Sequence, residues 1–123
     1  MCSILVIDDE RGLLSLIREV LTKYGHHVEV AADGSEGIRM FDKGNFEMVI
    51  TDMRMPGVDG KGVVQHIRRS YNQSIPVIGI SGTPWLLKDL GFDVILPKPF
   101  ALKELVDSVA RLTEFPTATA ASA

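Results

Sequence analysis

Five polar side chains stand at or just beyond the ends of apolar runs and could act together on one substrate. They are Asp8, Asp9, Asp52, Ser81 and Lys98. Three carboxylates that lie close together repel one another, and a hard divalent cation relieves that repulsion. Mg²⁺ takes oxygen ligands, keeps several of its waters and typically uses one or two carboxylates together with a phosphate. We therefore expect Mg²⁺ here, with Asp9 and Asp52 as direct ligands and Asp8 acting through water.

Asp52 is the expected centre of the reaction. Residues 48–51 predict a strand that runs straight into this carboxylate, and the proline and two glycines that follow cannot continue the strand. A cation, the ammonium of Lys98 and the hydroxyl of Ser81 would surround one carboxylate oxygen and stabilise a phosphoryl group during its transfer. Asp52 is then the nucleophile, and the product is an aspartyl phosphate, which carries more negative charge than the carboxylate.

The hydrophobic pattern predicts strands that alternate with helices. Five strands are predicted, at residues 4–7, 27–31, 48–51, 77–81 and 93–96. Apolar residues at helical spacing predict a helix after each strand, although residues 84–90 leave room for only about two turns. Because βαβ crossovers are right-handed, we expect an α/β, flavodoxin-like fold: an open doubly wound five-stranded parallel sheet, strand order 2-1-3-4-5, with a shortened fourth helix. This fold brings all five polar side chains to the carboxyl edge of the sheet.

Two residues in and after the fourth predicted strand bear on how the sheet is covered. Gly79 interrupts the strand, and its missing side chain predicts that a neighbour packs closely against the backbone. Trp85 lies in the short fourth helix, where two interpretations are equally open. It is either a core residue or an exposed anchor for a partner.

The composition excludes several functional classes. The chain has 123 residues, of which 46% are hydrophobic and 24% charged, which is enough for one domain with a real core. With 13 basic and 16 acidic residues the net charge is −3, so charge gives no reason to expect a nucleic-acid or membrane partner. Cys2 is the only cysteine, and neither a signal peptide nor an apolar run of about 18 residues is present. We therefore expect a cytoplasmic protein without an internal disulfide.

Four sequence motifs stand in register with one another along the chain. They are Asp8-Asp9 after the first strand, Asp52 with Met55-Pro56 and Gly60, Ser81-Gly82 after the fourth strand, and Lys98-Pro99-Phe100. Over residues 3–113 this pattern resembles a bacterial two-component response-regulator receiver domain of the CheY-like type. The resemblance implies a receiver domain at residues 1–115, and residues 116–123 are then a flexible tail or the remnant of a linker.

The resemblance also implies how such a domain works. A sensor histidine kinase or a phosphotransfer protein supplies the phosphoryl group to Asp52, and the domain catalyses its own phosphorylation and slow dephosphorylation, without an independent substrate to turn over. The backbone carbonyl of Arg54 is then a further Mg²⁺ ligand, and the peptide bond between Lys98 and Pro99 is cis. Phosphorylation changes the surface of the fourth helix, fifth strand and fifth helix, which controls a downstream output through an output domain or a homodimer.

Three features depart from the family pattern. The chain is shorter between Ser81 and Lys98 than is usual in the family, which removes more than one turn from the fourth helix. Ile95 stands where the family commonly has a tyrosine or phenylalanine, so an aromatic rotamer switch is not available, and we expect displacement of residues 82–91 to transmit the output instead. The side chain of Arg54 would lie over the site, where it pairs with the phosphoryl group or screens it from water.

Two other functions fit parts of the pattern. A haloacid-dehalogenase-like phosphatase also uses an aspartate nucleophile and Mg²⁺, but it needs a second aspartate two residues later as its acid and base, and Arg54 occupies that position. A non-phosphorylatable binding module of the same fold would carry a vestigial acidic site, and the complete set of five polar residues argues against it. Steady turnover of phosphate esters would favour the phosphatase, and failure to take up a phosphoryl group would favour the binding module.

Overall fold

Five parallel β-strands form one sheet in the computed structural model, which describes residues 2–88 and 90–114. The strands are β1 (Ser3–Ile7), β2 (His27–Ala31), β3 (Met48–Asp52), β4 (Val77–Ser81) and β5 (Val94–Pro97). Their order, β2-β1-β3-β4-β5, confirms the predicted order 2-1-3-4-5. Every pairing is parallel, so the carboxyl ends of all five strands lie at the same edge of the sheet. The predicted tail, residues 116–123, lies outside the described residues.

In the described part of the chain, four α-helices cover the two faces of the sheet. They are α1 (Arg11–Lys23), α2 (Gly34–Lys43), α3 (Gly60–Arg68) and α4 (Leu102–Glu114). One hydrophobic core lies between the sheet and helices α1 and α4, and a second lies beneath α2 and α3. The central strand β3 is buried along its whole length, as expected for a parallel strand covered on both faces. Over residues 2–88 and 90–114, no helix is long and apolar enough to cross a membrane.

The fourth helix is short, as predicted, but it is a single turn of 3₁₀ helix, Pro84–Leu87, and not the expected two turns. Pro84 suits the first turn of a helix, but Lys88 leaves the helical region at φ −59° and ψ 136°, and Gly91 adopts a left-handed φ of 101°. Leu87 is the one buried residue of this turn, so a single core contact replaces a helical face. Trp85 is 71% exposed, which makes it a surface residue and not part of the core.

Phe92 packs against β4 next to this turn. A Cβ atom placed on Gly79 would lie 2.8 Å from both Cδ1 and Cε1 of the Phe92 ring. This contact confirms the prediction that a neighbour packs closely against the backbone at Gly79. The phenyl ring adds to the core beneath α2 and α3, so it gives apolar cover to a region of the sheet next to the short 3₁₀ turn.

We expect Gly79→Ala to lower the free energy of unfolding by about 1–3 kcal/mol, because the added methyl group must displace the Phe92 ring. Chemical denaturation measures this change. The control is Gly12→Ala in α1, where a Cβ meets nothing within 4 Å, and it should stabilise the protein by about 0.5–1 kcal/mol. The double variant Gly79→Ala with Phe92→Leu should recover part of the loss. Similar effects of the two glycine substitutions would contradict the close contact.

Candidate functional site

The predicted site residues come together at the carboxyl edge of the sheet. Asp8 and Asp9 directly follow β1, and Asp52 is the last residue of the neighbouring strand β3. Each of these three carboxylates offers an oxygen, and the oxygens all lie within 4.8 Å of one another. Ser81 is the last residue of β4, and Lys98 directly follows β5. The topology therefore gathers polar side chains that are far apart in the sequence.

An ion pair joins Lys98 to Asp52, with Nζ 2.9 Å from Oδ1. The Asp52 side chain is 5% exposed, whereas the Lys98 side chain is 36% exposed and reaches the solvent. Burial alone would lower the pKa of Lys98, but the hydrogen bond with Asp52 and the nearby carboxylates outweigh burial, so this pKa is raised. Lys98 therefore keeps its ammonium charge at neutral pH. The peptide bond between Lys98 and Pro99 is cis, as the resemblance implies.

Asp8 carries a buried carboxylate, one oxygen of which has no protein partner. The residue is 2% exposed, and its Oδ1 accepts a hydrogen bond from the Glu10 N–H at 2.9 Å. Oδ2 is also buried and has no hydrogen-bond partner among the described residues. Burial raises the pKa of Asp8 to about 6, and the charge of Asp52 adds to this, although the Glu10 N–H and Lys98 act against it. An unpartnered buried oxygen beside two further carboxylates suits a hard divalent cation, so the residues present fit Mg²⁺.

Ser81 and Arg54 line one cleft at this edge. The cleft has a volume of about 240 Å³, and Asp52, Thr83 and Lys98 also line it. Ser81 Oγ accepts a hydrogen bond from the Thr83 N–H at 2.9 Å, and the Lys98 N–H donates to the Ser81 carbonyl at 2.8 Å. Arg54 is exposed and lines the edge of the cleft, so it lies beside the site. The chemical roles of these residues, and of the Arg54 carbonyl as a ligand, stay predictions.

Close packing behind Asp52 fixes its position. Thr51 Oγ1 donates a hydrogen bond to the Asp52 carbonyl at 2.9 Å, and the Gly60 N–H donates to the Met53 carbonyl at 3.0 Å. A Cβ on Gly60 would lie only 2.5 Å from the Asp52 carbonyl oxygen, so α3 can begin this close to β3 only with a glycine. The sequence predicted Gly60 as part of a motif but not this contact. The sequence also did not predict the hydrogen bond from the Thr83 N–H to Ser81 Oγ. A serine hydroxyl often accepts a hydrogen bond from the backbone N–H two residues later, so a signal for this turn was present.

The chain matches the family model described as response regulator receiver domain over residues 4–110, and it therefore belongs to the response regulator receiver domains of two-component systems. The probable transcriptional regulator ycf27 of Cyanophora paradoxa is 35% identical over 127 residues, which cover 97% of this chain and 52% of the relative. Response regulator MprA of Mycobacterium sp. (strain KMS) is 34% identical over 108 residues, which cover 84% of this chain and 46% of the relative. The chain thus spans about half the length of these relatives.

Solved structures of response regulators share the fold of this chain. The receiver domain of Francisella response regulator 1452 has a TM-score of 0.86 and 28% identity, and the match covers 93% of this chain and 98% of that one. Response regulator TrrA of Thermotoga maritima, crystallised in complex with Mg²⁺-BeF, has a TM-score of 0.83 and 32% identity, covering 91% and 99%. The predicted doubly wound, flavodoxin-like architecture is therefore confirmed.

We expect Asp8→Asn to stabilise the protein by about 1–3 kcal/mol near pH 7.5 without Mg²⁺, because ionised Asp8 is buried at a cost to folding. A folded-state pKa of about 6, above the ordinary 3.8, contributes stability that is complete below pH 3.8 and is lost as the pH rises through about 6. The gain in the free energy of unfolding from Asp8→Asn should therefore vanish at about pH 4.

Denaturant unfolding over this pH range measures the difference in the free energy of unfolding. Asp9→Asn is the control, because Asp9 is exposed and its replacement relieves no burial. Added Mg²⁺ should stabilise the unchanged protein more than the Asp8→Asn variant. If the unchanged protein and Asp8→Asn were equally stable at every pH without Mg²⁺, the free-energy cost assigned to burial of the ionised Asp8 would be wrong.

Proposed function

We propose that this receiver domain is a phosphorylation-dependent signalling switch, in which Asp52 accepts a phosphoryl group from a sensor histidine kinase or a phosphotransfer protein. The observation that carries the proposal is the 2.9 Å contact between Lys98 Nζ and Asp52 Oδ1, because Asp52 is one of three carboxylates whose oxygens lie within 4.8 Å of one another. A nucleophilic carboxylate needs such a fixed ammonium, because the charge stabilises the oxygens of the group in transfer.

The transfer converts a carboxylate into an acyl phosphate. A lone pair on a carboxylate oxygen of Asp52 forms the new O–P bond, the P–N bond to the donor histidine breaks, and the electron pair of that bond goes to the imidazole. The ammonium of Lys98 then pairs with one oxygen of the phosphoryl group, and the Ser81 hydroxyl donates a hydrogen bond to another. Both groups already line the cleft that contains Asp52.

Mg²⁺ is the proposed cofactor of this step. Asp9 and Asp52 would hold it directly, Asp8 through water, and the Arg54 backbone carbonyl as a further ligand. When bound, Mg²⁺ offsets the negative charge of the phosphoryl oxygens. The buried, unpartnered Oδ2 of Asp8 supports this assignment, because a charged oxygen away from solvent needs a positive neighbour.

The phosphatase alternative is weaker than the receiver function at this site. It needs an acid and base two residues after the nucleophile, where Arg54 stands. A guanidinium has only N–H donors and no free lone pair with which to accept a proton. We therefore propose that the domain catalyses its own phosphorylation and slowly hydrolyses its own acyl phosphate, and that it does not turn over an independent substrate.

The output is proposed to pass to an output domain or to a second copy of the chain. The relatives are about twice as long as the matched region, and one of them is named as a probable transcriptional regulator. The net charge of −3 gives no support to direct nucleic-acid or membrane binding by this domain. We propose a cytoplasmic location, where a histidine kinase can reach it.

We expect the protein to gain the mass of one phosphoryl group when it is incubated with acetyl phosphate and Mg²⁺, because Asp52 can attack a small acyl phosphate directly. Intact-mass spectrometry followed by peptide mapping should place the group on Asp52. An Asp52→Asn variant and a sample with excess EDTA are the controls, and neither should gain mass. Steady release of phosphate from an ester would instead indicate a phosphatase, and no gain at all would indicate a vestigial binding module.

We expect Arg54→Ala to shorten the lifetime of the acyl phosphate about tenfold, equivalent to about 1.4 kcal/mol, because the side chain pairs with the phosphoryl group or screens it from water. The decay of the phosphorylated mass after removal of acetyl phosphate measures this lifetime. Arg39→Ala, a change at an exposed arginine of α2, is the matched control and should leave the decay unaltered. Equal decay in all three proteins would make Arg54 a bystander.

A further inference from the structure

Arg68, the last residue of α3, uses all five N–H donors of its guanidinium. Nε and Nη2 donate to the Gly91 carbonyl at 3.0 and 2.6 Å, and Nη1 donates to the carbonyls of Gln73 and Ile75, each at 2.7 Å. The fifth donor, on Nη2, bonds Asp93 Oδ2 at 2.9 Å. A guanidinium has five donors in a rigid planar fork, so this arrangement leaves none unused. We call Arg68, Gly91 and Asp93 the Arg68 clamp.

The Arg68 clamp also holds the start of β4. Asp93 Oδ2 accepts a second hydrogen bond, from the Val77 N–H at 2.7 Å, and the Asp93 N–H donates to the Val77 carbonyl at 2.9 Å. Gly91 has a left-handed φ of 101°, and a Cβ there would lie 3.4 Å from Arg68 Cγ. The end of the 82–91 segment is therefore fixed to both α3 and the sheet.

The other end of the 82–91 segment is held by the site itself. The Thr83 N–H donates to Ser81 Oγ at 2.9 Å, and the Thr83 carbonyl accepts from the Leu86 N–H at 3.0 Å, which closes the 3₁₀ turn. Gly82 between them is exposed, and a Cβ there would meet nothing within 4 Å. The segment is thus held by the Ser81 hydroxyl at one end and by the Arg68 clamp at the other.

We propose that the Arg68 clamp is a fixed anchor, which confines the displacement expected of the 82–91 segment to residues 82–88. The proposal rests on the proposed function, because Ser81 must turn toward a phosphoryl group on Asp52. When the hydroxyl turns, the Thr83 N–H loses its acceptor and the 3₁₀ turn loses its support. Since Gly91 stays bonded to Arg68, the movement is confined to residues 82–88.

This displacement moves a pair of exposed apolar side chains. Trp85 is 71% exposed and Leu86 is 64% exposed, and both lie in the segment between the hydroxyl and the clamp. Without the Arg68 clamp, loss of the hydrogen bond between Ser81 and Thr83 would also loosen the turn before β5. The displacement of Trp85 and Leu86 would then have no fixed direction. Arg68 is therefore a positioning residue, which acts through the segment and not on the phosphoryl group.

The experiment uses Trp85 as its reporter, because it is the only tryptophan in the chain. We compare the unchanged protein, Arg68→Met and the control Arg69→Met, a change at an exposed neighbour, each with and without Mg²⁺ and beryllofluoride. Tryptophan emission and amide hydrogen exchange are measured, and adduct formation on Asp52 is checked in each sample. Asp93→Asn, which keeps an acceptor for the Val77 N–H, is a second variant with less risk to folding.

In the unchanged protein, loading should shift the Trp85 emission and speed exchange of the Leu86 amide about tenfold, while the Asp93 amide keeps its protection. In Arg68→Met, the Leu90 and Asp93 amides should exchange about tenfold faster even before loading, and the emission shift should fall to about half or less. Asp93→Asn should change in the same direction by a smaller amount. Arg69→Met should behave as the unchanged protein does.

Two results would overturn the proposal. One is an adduct on Asp52 with no change at Trp85 or Leu86, and the other is an Arg68→Met protein with the exchange and emission of the control. A protein that forms no adduct at all would contradict the proposed function instead. The exchange rates before loading would still decide whether Arg68 anchors the segment.

Discussion

Three carboxylates and one ammonium lie at the carboxyl edge of the sheet, and this excess of negative charge determines the electrostatics of the site. Parallel pairing of β1 with β3 places Ile7 beside Thr51, so the aspartates that follow these residues cannot move apart. Burial raises the pKa of Asp8 to about 6, so the folded chain bears an electrostatic cost at neutral pH. Lys98 offsets part of the local charge through its contact with Asp52. A bound cation, or a change of charge on Asp52, therefore alters the electrostatic energy of Asp8, Asp9 and Lys98.

A short path of contacts leads from this charge to the surface of the protein. Lys98 is bonded to the backbone of Ser81, and the Ser81 hydroxyl holds the first turn of the 82–91 segment. The 3₁₀ helix in that segment buries only Leu87 and has little core contact to resist displacement. At the far end, the Arg68 clamp fixes the segment to α3 and β4. The segment is thus held at both ends, and the displacement that we propose for residues 82–88 would need no aromatic side chain at position 95.

The alternation of strands and helices, the strand order and the convergence of the five polar side chains could all be predicted from the sequence, because apolar runs and parallel topology determine them. The 3₁₀ turn could not be predicted. Pro84 and Gly91 mark the limits of a short helix, but they do not distinguish an α-helical turn from a 3₁₀ turn. The Arg68 clamp could not be predicted either, because four of the five hydrogen bonds of the Arg68 guanidinium go to backbone carbonyls, which carry no signature of residue type. The unpartnered oxygen of Asp8 depends on the packing around it, which no pattern of residue types encodes.

A crystal structure with Mg²⁺ and beryllofluoride, which mimics a phosphoryl group, tests the assignment of Asp52 most directly. We predict a bond between beryllium and a carboxylate oxygen of Asp52, with Lys98 Nζ and Ser81 Oγ each within about 3.2 Å of a fluorine. Asp9 should contact the metal ion. Beryllofluoride bound away from Asp52, or bound there while the Lys98 ammonium and the Ser81 hydroxyl keep their present partners, would contradict the proposed site.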